Sequence, residues 1–371
     1  MSGDIILRAE GLKRSFVTRK PLFGPATVVQ AVDGVDLSIL KGETFAIVGE
    51  SGCGKSTLAR LLVRLIDPSE GSVWYDGADI AQLPPEALRA LRSDLQFIFQ
   101  DPFSSLNPQM TVGALIEEPL ITHGIGDKDE RRARVDDLLT RIGLTPAHAD
   151  RYPHEFSGGQ RQRVGIARAL ATGPKVIIGD EPVSALDVSI QAQVVNILED
   201  LKEAFGLTLV VIAHDLAVIR HMADRVAVMY LGEIVEVAPA EGLFTAPRHP
   251  YTETLLAAIP IARVGPRRAK ARIEGDLPNP TAPPPGCRFH TRCSHAQDRC
   301  KTERPTLRDL TGRQVACHFA ETLDLTGLTG GDAARSPSAR ARFALYRAAR
   351  AQEGGITASE KTDSSTKETL S

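Results

Sequence analysis

The feature that most constrains this chain is a glycine-rich octapeptide directly after a short apolar run. Residues 45–48 read Phe-Ala-Ile-Val, and residues 49–56 read GESGCGKS. The octapeptide fits G-x-x-x-x-G-K-[ST], in which glycines let successive backbone N–H groups converge on a phosphate. That pattern needs a strand before it and a helix after it, and the spacing over 56–66 is helical. The sequence therefore predicts a phosphate-binding loop.

The lysine and serine that close the octapeptide predict ATP with Mg²⁺ as the ligand. Lys55 would reach the β- and γ-phosphates, and the Ser56 hydroxyl would bind Mg²⁺. A small residue that fits the loop is the simplest interpretation of Cys53, and a redox switch is the alternative, because helix N-termini lower a thiol pKa. The residues predicted to contact the nucleotide here are Gly49, Glu50, Ser51, Gly52, Cys53, Gly54, Lys55, Ser56 and Thr57.

Two carboxylates follow a second apolar run and suit the same chemistry. Residues 176–178 read Val-Ile-Ile, and Asp180 and Glu181 come shortly after them. Asp180 can hold Mg²⁺ directly or through water, and Glu181 can polarise the attacking water as a general base. Taken alone, the pair also fits a strand that ends in solvated acids. Beside a phosphate-binding loop, it predicts hydrolysis.

A third motif predicts a second anion site. Ser157 is a typical N-cap residue, and Gly158 and Gly159 would expose backbone N–H groups at the start of a helix over 158–171. The alternative is a capped helix without a ligand. Two such sites can hold the same γ-phosphate only if the fold joins them or another chain supplies one.

Apolar strands alternate with helical segments up to about residue 260, which favours an α/β fold with a parallel sheet covered on both faces. Further strands are predicted at 5–8, 35–48, 95–99 and 207–212, and a helix at 129–142. After this region the composition changes: residues 263–272 carry five basic residues and no acid, and residues 277–286 contain five prolines. The basic stretch predicts a solvated linker or, alternatively, a contact with anionic lipid headgroups.

Charge and hydropathy exclude several classes of protein. With 44 Lys and Arg against 46 Asp and Glu, the formal net charge is -2, which excludes a general nucleic-acid-binding surface. No apolar run approaches the ~18–20 residues that a membrane helix needs. The N-terminus shows no secretory signal, so we expect a cytoplasmic protein that reaches a membrane only through a partner.

The order of these motifs resembles the ATP-binding subunits of ABC transporters over about residues 5–260. That order is the phosphate loop, Gln100, SGGQ at 157–160, Asp180 with Glu181, SALD at 184–187, and His214. The resemblance implies a RecA-like core of the P-loop type with a helical subdomain at about 101–172. It also implies that two ATPase domains meet head to tail, with each ATP between one domain's phosphate loop and the other's SGGQ. This arrangement accounts for the two anion sites.

The same resemblance implies roles for further residues. Phe16 would stack on adenine, although an aromatic residue in an N-terminal strand also fits a core position. Gln100 would touch Mg²⁺ or water and sense the transmembrane partner. His214 would contact the γ-phosphate, and Asp187 would lie at the dimer seam. The residues that would contact the other domain's ATP are Ser157, Gly158, Gly159 and Gln160.

Other segments are similar to the oligopeptide/dipeptide importer ATPases of bacteria, in particular the second of their two ATPase subunits. These segments are FQDPFSSLNP (99–108), DVSIQAQV (187–194), HPYT (249–252) and PPGC (284–287). The likeness implies ATP-driven peptide import at the cytoplasmic face of the inner membrane, where the chain would be peripheral. The implied partners are a second, homologous ATPase subunit, two integral-membrane permease subunits and a solute-binding protein. Related subunits serve nickel, opines and other solutes, so the identity of the transported solute stays open.

Four cysteines lie close together after the proline-rich stretch, at Cys287, Cys293, Cys300 and Cys317. Their spacing, C-x5-C-x6-C-x16-C, fits neither the usual zinc patterns nor the common ferredoxin patterns. In a reducing compartment the thiolates suit Zn²⁺ or an iron–sulfur cluster, with free thiols as a third possibility. The importer resemblance favours a structural [4Fe-4S] cluster. Serine in place of any one cysteine should then loosen the segment and leave ATP binding largely intact.

Three regions are predicted: an ATPase domain over 1–260, an importer extension with the cysteines over 261–320, and a largely disordered tail over 321–371. Two other functions compete with transport. A DNA-repair or translation ATPase is disfavoured because the chain has one phosphate loop and only about 100 residues between Lys55 and Ser157. A regulator without hydrolysis is disfavoured because Glu181 and His214 are both present.

Overall fold

The apolar runs of the sequence form two β-sheets in the computed structural model, which describes residues 4–17, 28–101, 103–184, 186–259 and 278–328. The strands in these residues are β1 Ile5–Val17, β2 Val28–Leu40, β3 Thr44–Val48, β4 Glu70–Tyr75, β5 Ala78–Asp79, β6 Leu95–Ile98, β7 Val176–Asp180, β8 Thr208–Ala213, β9 Arg225–Tyr230, β10 Glu233–Pro239, β11 Arg308–Asp309 and β12 Gln314–Val315. The helices are α1 Lys55–Leu62, α2 Pro85–Leu91, α3 Val112–Thr122, α4 Lys128–Arg141, α5 Gly158–Leu170, α6 Val188–Phe205, α7 Leu216–Met222, α8 Ala240–Thr245, α9 Pro250–Ala257 and α10 Asp298–Thr302.

The larger sheet has the strand order β11-β12-β10-β9-β3-β8-β7-β6. Its strands from β9 to β6 run parallel. Every residue of β3, β7 and β8 is buried, as the continuous apolar runs predict for strands covered on both faces. The phosphate loop leaves the carboxyl end of β3, and Asp180 ends β7, so the sheet brings the two motifs to one edge.

Helix α1 contacts β7 and β8 of the larger sheet. It also contacts β1 and β2 of a smaller antiparallel sheet, whose strand order is β2-β1-β4-β5. Leu7 and Leu12 of β1, Leu58 and Leu62 of α1, and Phe45 of β3 belong to one fully buried apolar cluster. The helix is therefore held between the two sheets, which fixes the position of the loop at its N-terminus.

Helices α3, α4 and α5 fall within the predicted helical subdomain and pack on one another. The charged helix predicted at 129–142 is α4, which begins with a capping box: Asp127 accepts from the backbone of Glu130, and the Glu130 side chain accepts from the backbone of Asp127. Helix α5 begins at Gly158, one residue after the predicted cap Ser157.

The segment after residue 278 continues the larger sheet. Strand β12 pairs antiparallel with β10, with Val315 opposite Glu236, and β11 pairs with β12. The described residues up to Gly327 form one compact unit. The predicted boundary at residue 260, the basic stretch 263–272 and the tail beyond residue 328 lie outside the described residues. No helix among the described residues is long and apolar enough to cross a membrane.

Candidate active site

The phosphate loop is shaped by glycines that no other residue could replace without strain. Gly54 has φ +108°, and a Cβ there would lie 2.0 Å from the backbone oxygen of Ala31 in β2. A Cβ on Gly49 would lie 2.2 Å from the backbone oxygen of Met229 in β9. The loop is thus pressed against both sheets, and it needs glycine for close approach as well as for turning.

Lys55 lies inside the ring that the loop makes. Its Nζ donates to the carbonyl oxygens of Gly49 and Glu50, at 2.9 Å each, and the residue is only 4% exposed. These contacts hold the ammonium group at the centre of the loop, where the backbone N–H groups and the start of α1 favour an anion.

The predicted Mg²⁺ ligands from α1 and β7 are in direct contact. Ser56 Oγ donates to Asp180 Oδ1 at 2.7 Å, and Asp180 is 1% exposed. Burial raises the pKa of Asp180, while the bond from Ser56 and the nearby Arg60 oppose the rise. A buried carboxylate beside a hydroxyl is a donor set that suits Mg²⁺, so the two residues fit the ion.

The three residues predicted to act in hydrolysis come together. Gln100 Nε2 donates to Glu181 Oε2 at 3.0 Å, and His214 Nδ1 lies 3.4 Å from the same oxygen. Glu181 itself has φ +48°, a left-handed conformation that is unusual for a non-glycine residue. Such backbone strain is common at functional sites, and here it accompanies a carboxylate turned toward Gln100 and His214.

The pocket in front of the loop has a volume of about 220 Å³. It is lined by Val29, Gln30, Ala31, Ser51, Gly52, Cys53, Gly54, Lys55, Ser56, Thr57, Gln100, Glu181, Leu231, Gly232 and Pro280. Phe16 lies opposite Val29 in the β1–β2 register, so it stands beside the rim of this pocket. It is 39% exposed, with the Arg14 guanidinium 4.9 Å from its ring centroid. An exposed ring there suits the predicted stacking on adenine better than a core position.

The SGGQ motif does not line this pocket in its own chain. Ser157 Oγ accepts from the backbone of Gln160, and the Gln160 side chain accepts from the backbone of Ser157, which completes a capping box at an exposed helix start. Gly159 is buried against α6, and a Cβ there would lie 2.5 Å from the Ile190 side chain. Asp187 is the exposed N-cap of α6 and makes no capping bond with its side chain.

Cys53 faces inward and is almost fully buried. Burial raises the pKa of its thiol, although Lys55 opposes the rise. A redox switch needs an accessible thiol with a lowered pKa. Its burial and raised pKa therefore disfavour the redox alternative for Cys53 and favour the small-residue interpretation.

The four clustered cysteines line one small pocket together with Phe289, and four histidines also border it. All four are free thiols, and the pocket volume is about 20 Å³, roughly the space of one water molecule. Burial, together with the other cysteines, raises the pKa of Cys287 to about 12 and that of Cys293 to about 11. Within the described residues, no group of three or more His, Cys, Asp or Glu side chains is placed to hold a metal ion.

Two residues beyond the predicted site contact the phosphate loop. The Tyr251 hydroxyl accepts from the backbone N–H of Glu50 at 2.9 Å, and the Arg292 guanidinium pairs with the Glu50 carboxylate. Both partners lie about 200 residues or more along the chain, so no local spacing could connect them with the loop. Tyr251 does fall in the HPYT segment, which is the only signal that could have drawn attention to it.

Comparison with known proteins decides the family. The pattern of the ABC transporter family matches residues 32–184, and that of the oligopeptide/dipeptide transporter C-terminal region matches residues 235–300. The oligopeptide transport ATP-binding protein AppF of Bacillus subtilis is 50% identical over 321 residues, which cover 85% of this chain and 98% of that protein. The chain belongs to the ABC transporter ATP-binding family.

A second relative and a solved structure support the same family. The dipeptide transport ATP-binding protein DppF of Escherichia coli is 46% identical over 312 residues, which cover 84% of this chain and 93% of the relative. A dimeric post-hydrolysis state of an ATP-binding cassette bound to ADP and Pi matches 63% of this chain and 99% of the other, at 32% identity and a TM-score of 0.57. The α/β fold is thereby confirmed, and the chain is an ATPase for which ATP and Mg²⁺ are the expected ligands.

Proposed function

We propose that this ABC ATPase is the motor subunit of a complex that imports di- or oligopeptides. The convergence of Gln100 and His214 on the Glu181 carboxylate, at the mouth of the phosphate-loop pocket, carries the hydrolysis part of the proposal. The peptide part rests on relatives at about 50% identity that are named for oligopeptide and dipeptide transport. The same motor serving nickel, opines or another solute is the alternative.

Each residue in or near the pocket has a separate role in this proposal. The loop and Lys55 bind the β- and γ-phosphates, and Ser56, Asp180 and Gln100 hold Mg²⁺. The Glu181 carboxylate accepts a proton from the attacking water. His214, with its Nδ1 beside Glu181, contacts the γ-phosphate. Phe16 provides the exposed ring for adenine.

The SGGQ motif would complete the ATP site of another chain. Its N-terminus is exposed and lies outside the pocket of its own chain, and a related cassette is dimeric with ADP and Pi. We infer that the other chain is a second, homologous ATPase subunit, and that Asp187 lies at the seam between the two. Ser157→Arg should then lower hydrolysis in complexes whose partner loop is intact and change little where the partner's loop is disabled. Strong ATPase activity of the isolated chain at high dilution would contradict a shared site.

The implied membrane partners are two integral-membrane permease subunits, with a solute-binding protein outside. The chain itself would lie peripherally on the cytoplasmic face of the inner membrane, with Gln100 near the permease contact. No nucleic acid is expected as a partner, in keeping with the net charge of -2.

We propose that the four cysteines hold a [4Fe-4S] cluster, with Zn²⁺ as the alternative. Four sulfur donors around one pocket are a suitable set of metal ligands. The positive charge of a bound metal would lower the thiol pKa values that burial raises, and would thus favour the thiolate form. Tetrahedral zinc needs sulfur atoms only about 3.8 Å apart, whereas a cluster separates its ligands more widely. Within the described residues the thiols are not gathered around one ion position, so the choice of a cluster over zinc rests on the importer resemblance and not on their arrangement.

The metal is tested by iron and sulfide analysis with a visible absorption spectrum on anaerobically purified protein. About four irons and four sulfides per chain support the cluster. One zinc per colourless chain would replace the cluster by a zinc site. A metal-free protein with four titratable thiols and a protease-resistant segment would contradict both.

The transported solute is tested by competition in vesicles that carry the whole complex. Labelled dipeptide uptake should require ATP and be reduced by unlabelled di- or oligopeptides. Uptake of nickel or an opine that peptides do not reduce would favour the alternative.

A further inference from the structure

Residues 286–320, which carry the four clustered cysteines, are called the cysteine segment here, and one of their arginines, Arg292, contacts the phosphate loop. Arg292 Nη1 donates to Glu50 Oε2 at 2.7 Å, and Nη2 donates to Glu50 Oε1 at 2.9 Å. This is a two-point pair of guanidinium and carboxylate, a geometry that an ammonium group cannot reproduce. The Arg292 side chain is only 5% exposed, so the pair is shielded from water on the arginine side.

Aromatic residues hold this pair in place. The guanidinium lies 5.8 Å from the ring centroid of Tyr230, and Nη1 is 3.3 Å from the Tyr230 hydroxyl. The rings of Tyr230, Tyr251 and Phe289 pack on one another with centroids 4.7–5.3 Å apart. Phe289 lines the cysteine pocket, so one packed cluster joins that pocket to the loop.

Glu50 is the loop residue that both Tyr251 and Arg292 contact. Its backbone N–H donates to Tyr251, and its carbonyl accepts from Lys55 Nζ and from the backbone of Cys53. A shift of Glu50 would therefore move the Lys55 ammonium. Without Arg292, the Glu50 carboxylate would also be a partly buried, unpaired negative charge beside the position of the ATP phosphates.

We propose that Arg292 is a positioning residue for the phosphate loop, and that the cysteine segment is thereby part of the nucleotide site. The arginine neutralises Glu50 and fixes the loop that carries Lys55. This inference rests on the proposed ATP site and extends it to a residue that does not touch the nucleotide.

The test is a Mg-ATP titration of the full-length chain in five variants and the wild type. Arg292→Gln should weaken ATP binding roughly tenfold, because it leaves Glu50 unpaired. Arg292→Lys should recover only part of the loss, because a single ammonium lacks the two-point geometry. The double variant Glu50→Gln/Arg292→Gln should recover most of it, since no unpaired carboxylate remains. Glu50→Gln completes the cycle.

Arg299→Gln is the matched control. Arg299 lies in the same segment, is exposed, and pairs with Glu303 four residues away. Its loss should leave ATP binding within about twofold of the wild type. In the assembled complex, Arg292→Gln should raise KM for ATP while kcat changes by no more than about twofold.

Two results would overturn the inference. One is ATP binding by Arg292→Gln that matches Arg299→Gln. The other is a double variant that binds as weakly as Arg292→Gln, which would give Arg292 only a role in folding the segment. If Arg292→Gln does not fold, the comparison of Arg292→Lys with the double variant decides. A wild-type chain that binds no ATP would instead contradict the proposed function.

Discussion

The phosphate loop and the cysteine segment are both irregular stretches that carry chemistry, but they are held in opposite ways. The loop, residues 49–57, is fixed by glycine geometry between a buried strand and a helix. The segment, residues 286–320, has a small apolar cluster around Val315, Cys317 and Ala320. A loop of the first kind can be predicted from local sequence, whereas the second depends on partners far along the chain.

Charged contacts supply much of what holds the cysteine segment. Arg288 contacts Asp33, Glu233 and the carbonyl of Leu231. Arg304 pairs with the same two carboxylates, and Arg292 pairs with Glu50. The segment is thus anchored on β2, β10 and the phosphate loop by its arginines, and we expect a metal to supply the internal order.

The largest expected effect belongs to the nucleotide side of this comparison. Glu181→Gln keeps the shape of the site and removes the base, so hydrolysis at this site should fall roughly 10²–10⁴-fold while Mg-ATP still binds. Turnover and ATP affinity are measured separately, with the partner site silenced. Glu303→Gln, a carboxylate change in the cysteine segment, is the control and should leave turnover unchanged. Wild-type turnover by Glu181→Gln would show that another group is the base.

A pair of glycine substitutions compares the two regions directly. Gly54→Ala puts a Cβ 2.0 Å from a backbone oxygen of β2, and should weaken ATP binding by about 100-fold because the loop cannot keep its shape. Gly286→Ala puts a Cβ 2.5 Å from the Cys300 carbonyl, and should disturb the segment while weakening ATP binding less. ATP titration and limited proteolysis provide the two readouts. Equal losses of ATP binding would mean that the regions fold as one unit.

A single cysteine change tests how far the segment supports the loop. Cys300→Ser removes a buried thiol and should make residues beyond 278 sensitive to protease. ATP binding should fall by no more than it does in Arg292→Gln, because Cys300 does not line the nucleotide pocket and reaches the loop only through Arg292 and the packed aromatic residues beside it. Cys53→Ser, a cysteine change inside the loop, should leave the segment resistant. A segment that stays resistant in Cys300→Ser would contradict the role of the cysteines.

The smallest effect concerns pH. His249 is fully buried and caps α9 by accepting from the backbone of Tyr251, and burial lowers its pKa from 6.5 to about 3. Below pH 6.5 the unfolded chain binds a proton there and the folded chain does not, so stability should fall as pH drops toward 3. At pH 5 the loss is about 2 kcal/mol. His249→Asn keeps a capping oxygen and should show a shallower loss of unfolding free energy between pH 7 and 5. An unchanged slope would show that His249 titrates normally.

The contrast also explains what the sequence could predict. The phosphate loop, the strand before Asp180 and the helix after Ser157 follow from local patterns, and the structure contains all three. The pairing of Arg292 with Glu50 could not be predicted, because a salt bridge over 242 residues leaves no trace in spacing. Strands β11 and β12 have two residues each, too few for a period, so their place in the larger sheet was equally hidden.

The most direct test of the account is a joint measurement of ATP hydrolysis and peptide uptake in the same vesicles, with the complex reconstituted and ATP supplied on the side of this chain. The account predicts that labelled dipeptide accumulates only while ATP is hydrolysed, and that a non-hydrolysable ATP analogue binds without supporting uptake. Peptide accumulation that continues without hydrolysis, or hydrolysis that no transported peptide accompanies, would contradict the central claim.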